Sequence, residues 1–184
     1  MKRPTTQGDV DVFLGVVEEL VAELDLRRVR LRDIATQLQM AYSDDCYLSF
    51  KAEFVVIVIM LRSMCLGCID FQGPKYAQRA AHFEFEVDEG YSLRNALVLM
   101  NGRLHWQDMV DYLNREIEEG LTLLMVLKRF ANSFVCHYDP KGVSFEELYW
   151  KITWSNGFFS RLEGVILKLT GIYSSAQYHY RHSS

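Results

Sequence analysis

Proline is scarce: three occur in 184 residues, at positions 4, 74 and 140. Because proline is the residue that most surely ends a helix, the stretches between them are free to run as long helices. A basic excess is also missing. Twenty Lys and Arg against 24 Asp and Glu leave a formal charge of −4, so nothing in the charge suggests a nucleic-acid partner. No apolar run is long enough to span a bilayer. The strongest, FVVIVIML at 54–61, is bounded by Glu53 and Arg62, and spanning takes about 20 residues. The C-terminal apolar stretch turns polar, so no membrane anchor and no integral membrane segment is expected. The start, MKRPTTQGDVDV, is polar rather than signal-like.

Catalytic signatures are missing too. There is no G-x-S-x-G, P-loop or G-x-G-x-x-G. None of the five histidines completes the Glu-x-x-His of a di-metal bundle. His137 beside Asp139 reads as a loop residue, and His179 and His182 lie in a polar tail. The cysteines are Cys46, Cys65, Cys68 and Cys136. Their single C-x-x-C lies inside an apolar helical pattern and has no second pair for zinc, so reduced, structural thiols are the reading. The one dense carboxylate cluster, Glu84, Glu86, Asp88 and Glu89, reads as a solvated loop. No enzyme activity, cofactor or metal is expected.

What the chain does have is helical periodicity. Val12, Phe13, Val16, Val17, Leu20, Val21 and Leu24 form one stripe over 8–25, with Asp9 and Asp11 near its start, as the helix dipole favours. Leu31, Ile34, Ala35, Leu38 and Tyr42 mark a second helix over 27–42. Further helices are expected over 46–71, 75–84, 92–100 with a Ser92 cap, from His105 to a break at Gly120, and over 121–135. Another opens on the Ser144/Glu147 capping box, and the last spans about 158–172. The fold class is therefore all-α: a single-domain bundle of about eight helices over residues 1–184, with flexible tails at 1–7 and 174–184.

RLRDIATQLQMAYSDDCYLSFK imitates a DNA-binding helix-turn-helix, but its second helix would open with Asp44 and Asp45, which phosphates repel. The arginines at 27, 28, 30 and 32 read as a solvated face.

Three segments together resemble the Bcl-2 family of apoptosis regulators. NGRLHWQDMVDYL supplies Asn101-Gly102, then His105-Trp106 and the hydrophobics Met109, Val110, Tyr112 and Leu113, similar to the family's first homology motif. WSNGFFSRLEGV supplies Asn156-Gly157 with Phe158-Phe159 where the second motif has Gly-Trp. RLRDIATQLQMAY looks like the helical third motif, with Leu31, Ile34, Ala35 and Leu38 in its apolar and small positions and Thr36 where an Asp is usual. The motif arginine that pairs with a ligand's acid falls at Asp108, and Arg103 is its candidate stand-in. Ile57, Leu61, Met64 and Cys68 hold the same four-anchor spacing, so either 27–42 or 55–70 lines a groove.

The resemblance implies a hydrophobic surface groove that takes an amphipathic helix from a pro-apoptotic Bcl-2 protein. Its floor would be Met109, Val110 and Tyr112, its walls Val98, Leu99, Phe158 and Phe159. Met60 and Met64 would be adaptable lining. Arg103, His105 and Asp108 would form the polar rim, with a narrow ligand range because the arginine is missing. A divergent, virus-encoded, anti-apoptotic homologue is the implied type, cytoplasmic and recruited to mitochondria through partners; pro-death members share the fold. The rival reading is a self-associating helical scaffold whose exposed apolar face makes a homodimer.

Overall fold

The computed structural model describes residues 2–66, 83–118, 121–122 and 158–183. It is predominantly helical. Five α-helices stand among the described residues rather than eight: α1 (Gln7–Met40), α2 (Asp44–Leu61), α3 (Leu93–Leu99), α4 (Arg103–Leu113) and α5 (Phe158–His182). The expected helices at 75–84 and 121–135, apart from residues 83–84 and 121–122, which are not helical, and the one after Ser144 fall outside them, as do Asn156-Gly157, Cys68, His137 and Asp139.

The expected helices 8–25 and 27–42 are one helix. No glycine or proline stands near residue 26 to break it, and Thr6 caps its start in a reciprocal box with Asp9. Hydrogen bonds from Thr6 hold the Asp9 carboxyl below its ordinary range. Leu14, Val17, Val21, Leu24, Arg28, Leu31 and Leu38 are buried along α1. With half-buried Ala35, their spacing alternates three and four throughout, the heptad seam of packed antiparallel or parallel helices. α1 then doubles back into α2. Ala41 ends the first helix and Ser43 caps the second, its hydroxyl accepting from the Cys46 N–H. Arg27 reaches Glu53, and Cys46 Sγ lies 3.7 Å from the Ile34 carbonyl oxygen. These pairings make an antiparallel hairpin, not the crossed helices of a DNA reader. Asp44 and Asp45 occupy the first turn of α2, where the dipole favours them. α2 passes into a π turn at Arg62–Leu66.

α5 runs to His182, so the polar tail expected beyond 173 is helical to that point. Leu162, Val165, Ile166, Leu169, Ile172, Tyr173 and Ala176 are buried along it. It lies antiparallel to α1: Arg28 and Arg32 meet Glu163 near its start, while Tyr173, Gln177 and Tyr180 meet Leu14, Glu18 and Gln7 near its end. α4 stops at Leu113 instead of reaching Gly120. Both the backbone and the side-chain amide of Asn114 donate to the Val110 carbonyl, which closes the helix. The alternating Glu-Ile-Glu at Glu116–Glu118 then forms a short strand, antiparallel to Leu121–Thr122, where a helix had been expected.

The Tyr173 hydroxyl donates to the Leu14 carbonyl at 2.8 Å inside the α1–α5 seam. Burial, reinforced by the Glu18 charge, pushes its phenol up from 10.0 to about 12. A raised acid keeps its full stabilising effect below the unfolded value and loses it as pH rises through the folded one. The Tyr173 contribution is therefore complete below pH 10 and fades toward pH 12. Tyr173→Phe is expected to cost about 1 kcal/mol at neutral pH. The gap between variant and parent should shrink in urea titrations between pH 10 and 12, and a constant gap would contradict the assignment.

Candidate functional site

The corner between α3 and α4 is where the Asn-Gly break and the tryptophan meet. α3 opens on Ser92, whose hydroxyl accepts from the Asn95 N–H. It closes at Asn101, which takes φ +57°, a left-handed conformation that asparagine tolerates better than most residues. The Asn101 N–H bonds to the Val98 carbonyl and the Gly102 N–H to the Leu97 carbonyl at 2.7 Å. That pair of bonds is the Schellman closure of a helix end. A Cβ at Gly102 would stand 3.2 Å from Leu97 Cδ2 and 3.6 Å from Ala176 Cβ, so the glycine lets the corner fold closely over Leu97 while it rests against α5 in ordinary contact.

One turn into α4, Trp106 is 1% exposed. The Arg94 guanidinium lies 5.9 Å from its ring centre. Arg94 is itself 3% exposed and makes a two-nitrogen clasp on the Glu89 carboxylate, which also accepts from the Ser92 hydroxyl. Beside it the fully buried Asn95 holds the loop: its side chain accepts from the Glu86 N–H and donates to the Glu86 and Gly90 carbonyls. The acidic run read as a solvated loop is thus tied to α3 by a buried Arg-Asn pair. The adjacent polar letters on an apolar helix were its only signal in the sequence. Three of the four arginines of α1 are likewise engaged: Arg27 with Glu23 and Glu53, Arg28 with Asp25 and Glu163, Arg32 with Glu163, while Arg30 is exposed.

The candidate groove residues fall into three groups. On α4, Met109 and Val110 are buried with Trp106 and Leu113 in the core. His105, Asp108 and Tyr112 share the side of α4 that meets α5. His105 stacks on His179 with ring centres 5.9 Å apart, Asp108 pairs with Lys168 at 2.6 Å, and a side chain at Gly164 would meet the Tyr112 hydroxyl at 2.9 Å. Arg103 is exposed, its guanidinium 5.8 Å from the Phe83 ring centre, with no ion pair among the described residues. On the second face, Met60 is half-buried near the end of α2 and Met64 is buried in the π turn; that turn packs against α3, where Val98 and Leu99 are half-buried. Phe158 and Phe159 form the first turn of α5.

Both candidate groove helices turn their anchors inward. Leu31 and Leu38 are buried, as are Ile57, Leu61 and Met64. No group of three or more His, Cys, Asp or Glu among the described residues could hold a metal. No family model, curated protein or solved structure matches this chain. The described residues define a helical protein in which α1, α3 and α4 all pack on the C-terminal α5, and none of its described helices is long and apolar enough to cross a membrane.

Proposed function

We propose that this protein is a helix-binding module of the Bcl-2 type, one that inhibits apoptosis by sequestering the amphipathic death-motif helices of pro-apoptotic partners and performs no chemistry. The observation that carries the reading is the Asn101–Gly102 corner, closed on α3, seated on α5 and backed by buried Trp106. An incoming helix would meet half-buried Met60, Val98 and Leu99 first, while Met109 and Val110 lie buried in the core. The rim is less hostile to an acidic ligand than Asp108 alone suggests. Lys168 compensates that charge, although an exposed pair is worth only about 0–1 kcal/mol. Arg103 remains the cation available to a partner's carboxylate. Action in the cytoplasm, with recruitment to mitochondria through the captured partner, completes the proposal.

Calorimetric titration with a panel of pro-death peptides tests it. At least one peptide should bind below about 1 μM, roughly −8 kcal/mol. Leu99→Glu, which places a charge on the half-buried wall, should weaken that binding at least ~10-fold while the thermal unfolding midpoint stays cooperative. Absence of binding across the panel by a folded monomer would remove the function.

A second reading is favoured by a separate observation. Met40, Tyr42 and Leu48, at 84%, 62% and 59% exposure, crowd the tip of the α1–α2 hairpin. Apolar side chains gathered this way suit a self-associating scaffold. Light scattering that shows a concentration-dependent dimer, abolished by Met40→Lys, would support that reading.

A further inference from the structure

A cavity of about 420 Å³ lies between segment 2–5, the opening turns of α1 and Tyr91, and shares no lining residue with the candidate groove. Its size falls within the range of small-molecule sites. Its base is aromatic. Phe13 is buried there, its ring 5.0 Å from Tyr91 and 5.8 Å from Phe85. Val12 and Tyr91 line the same cavity and stay 67% and 42% exposed, leaving apolar surface open to water. Lys2 and Arg3 supply two cations that make no ion pair among the described residues. The Arg3 guanidinium stands 5.9 Å from the Phe85 ring centre, which steadies it beside the opening. The one acid in the lining, Asp9, is engaged by the Thr6 N–H in the α1 cap and disfavours an anion on its own side.

Two cations, a single acid already engaged in the helix cap and aromatic lining in one cavity select a ligand by charge and shape together. We propose that this cavity binds a small carboxylate carrying an aromatic group, the carboxylate held by Lys2 and Arg3 and the ring laid on the exposed Val12 and Tyr91 above buried Phe13. The site is independent of the helix-binding surface and stands whether or not that surface binds peptides.

The test uses N-acetyl-phenylalaninate as probe, its uncharged amide as control, and the aromatic proton signals of the 184-residue chain as readout. The carboxylate should bind with Kd near ~0.5 mM, the scale of a ligand this small, and shift the Phe13 and Tyr91 signals. The amide should bind at least ~10-fold more weakly, as should the carboxylate to a Lys2→Gln/Arg3→Gln variant. Both cations are exposed, so that variant is expected to unfold at the parent temperature. Equal binding of amide and carboxylate would overturn the proposal. So would an unchanged affinity in the double variant, or no shift at ten times the expected Kd.

Discussion

Replacing Trp106 with alanine is expected to lower the unfolding free energy by about 3–5 kcal/mol. For a domain with a total of about 5–15 kcal/mol, that is a large share. The ring is 1% exposed and sits among Met109, Val110 and Leu113 in the core, with α4 laid on α5. Alanine would leave a void that neighbouring helices cannot fill without moving the Asn101–Gly102 corner. The loss should be one of packing rather than charge, because Arg94 keeps its clasp on Glu89 when the ring is gone. Trp106→Phe separates the two effects: it keeps an aromatic face for Arg94 and most of the volume, and should cost about 1–2 kcal/mol. Urea unfolding followed by far-ultraviolet circular dichroism gives both values. An alanine penalty below about 1 kcal/mol would mean that the corner is not a packed centre of the fold.

The Asn-Gly pair at 101–102 was legible as a break because its cause is local: a left-handed residue and a close approach both act within a few positions of chain. The fusion of the first two helices was legible in principle. Leu24, Arg28 and Leu31 carry one three-four spacing across the point where a boundary was expected, but an arginine in an apolar position looks like the end of a stripe. The length of α5 was hidden for a similar reason. Gly171, Ser174 and Ser175 resemble a helix end, yet Tyr173, Ala176 and Tyr180 continue the seam on α1. The early stop of α4 depended on Asn114, whose side chain folds back on the Val110 carbonyl.

The groove was harder to read, and the reason is physical. Periodicity shows which residues share a face. It does not show whether that face meets another part of the same chain or a foreign helix, since the same apolar side chains serve both. Met109 and Val110 meet their own core, whereas Val98, Leu99 and Met60 remain half-buried on neighbouring elements. The pairing of Asp108 with Lys168 joins residues 60 positions apart, and no local pattern announces such a contact.

The ion cluster of α1 and α5 should respond to mutation non-additively. Arg28 occupies a seam position that is otherwise apolar, 8% exposed, with its guanidinium bonded to Asp25 at 2.7 Å and reaching Glu163 at 3.4 Å. The Asp25 hydrogen bond, with help from Glu163, raises its already high pKa, so the cation persists at every accessible pH and must be matched. Glu163→Leu removes the partner on α5 and leaves Arg28 with Asp25 alone; the expected cost is about 2–3 kcal/mol, below the about 3–5 of a fully buried pair because Asp25 remains. Arg28→Leu should cost less, since Glu163 keeps Arg32 at 2.7 Å. The double variant Arg28→Leu/Glu163→Leu should return to within about 1 kcal/mol of the parent, because a leucine seam needs no desolvated charge. Urea unfolding of the two single variants, the double and the parent closes the cycle. A double variant as unstable as the sum of the singles would show that the charges do not depend on each other. If it recovers as expected, the pair matters less for stability than for register: an arginine and a glutamate set at matching heights fix α1 against α5 in one antiparallel alignment, where a seam of leucines alone would tolerate a slip of one heptad.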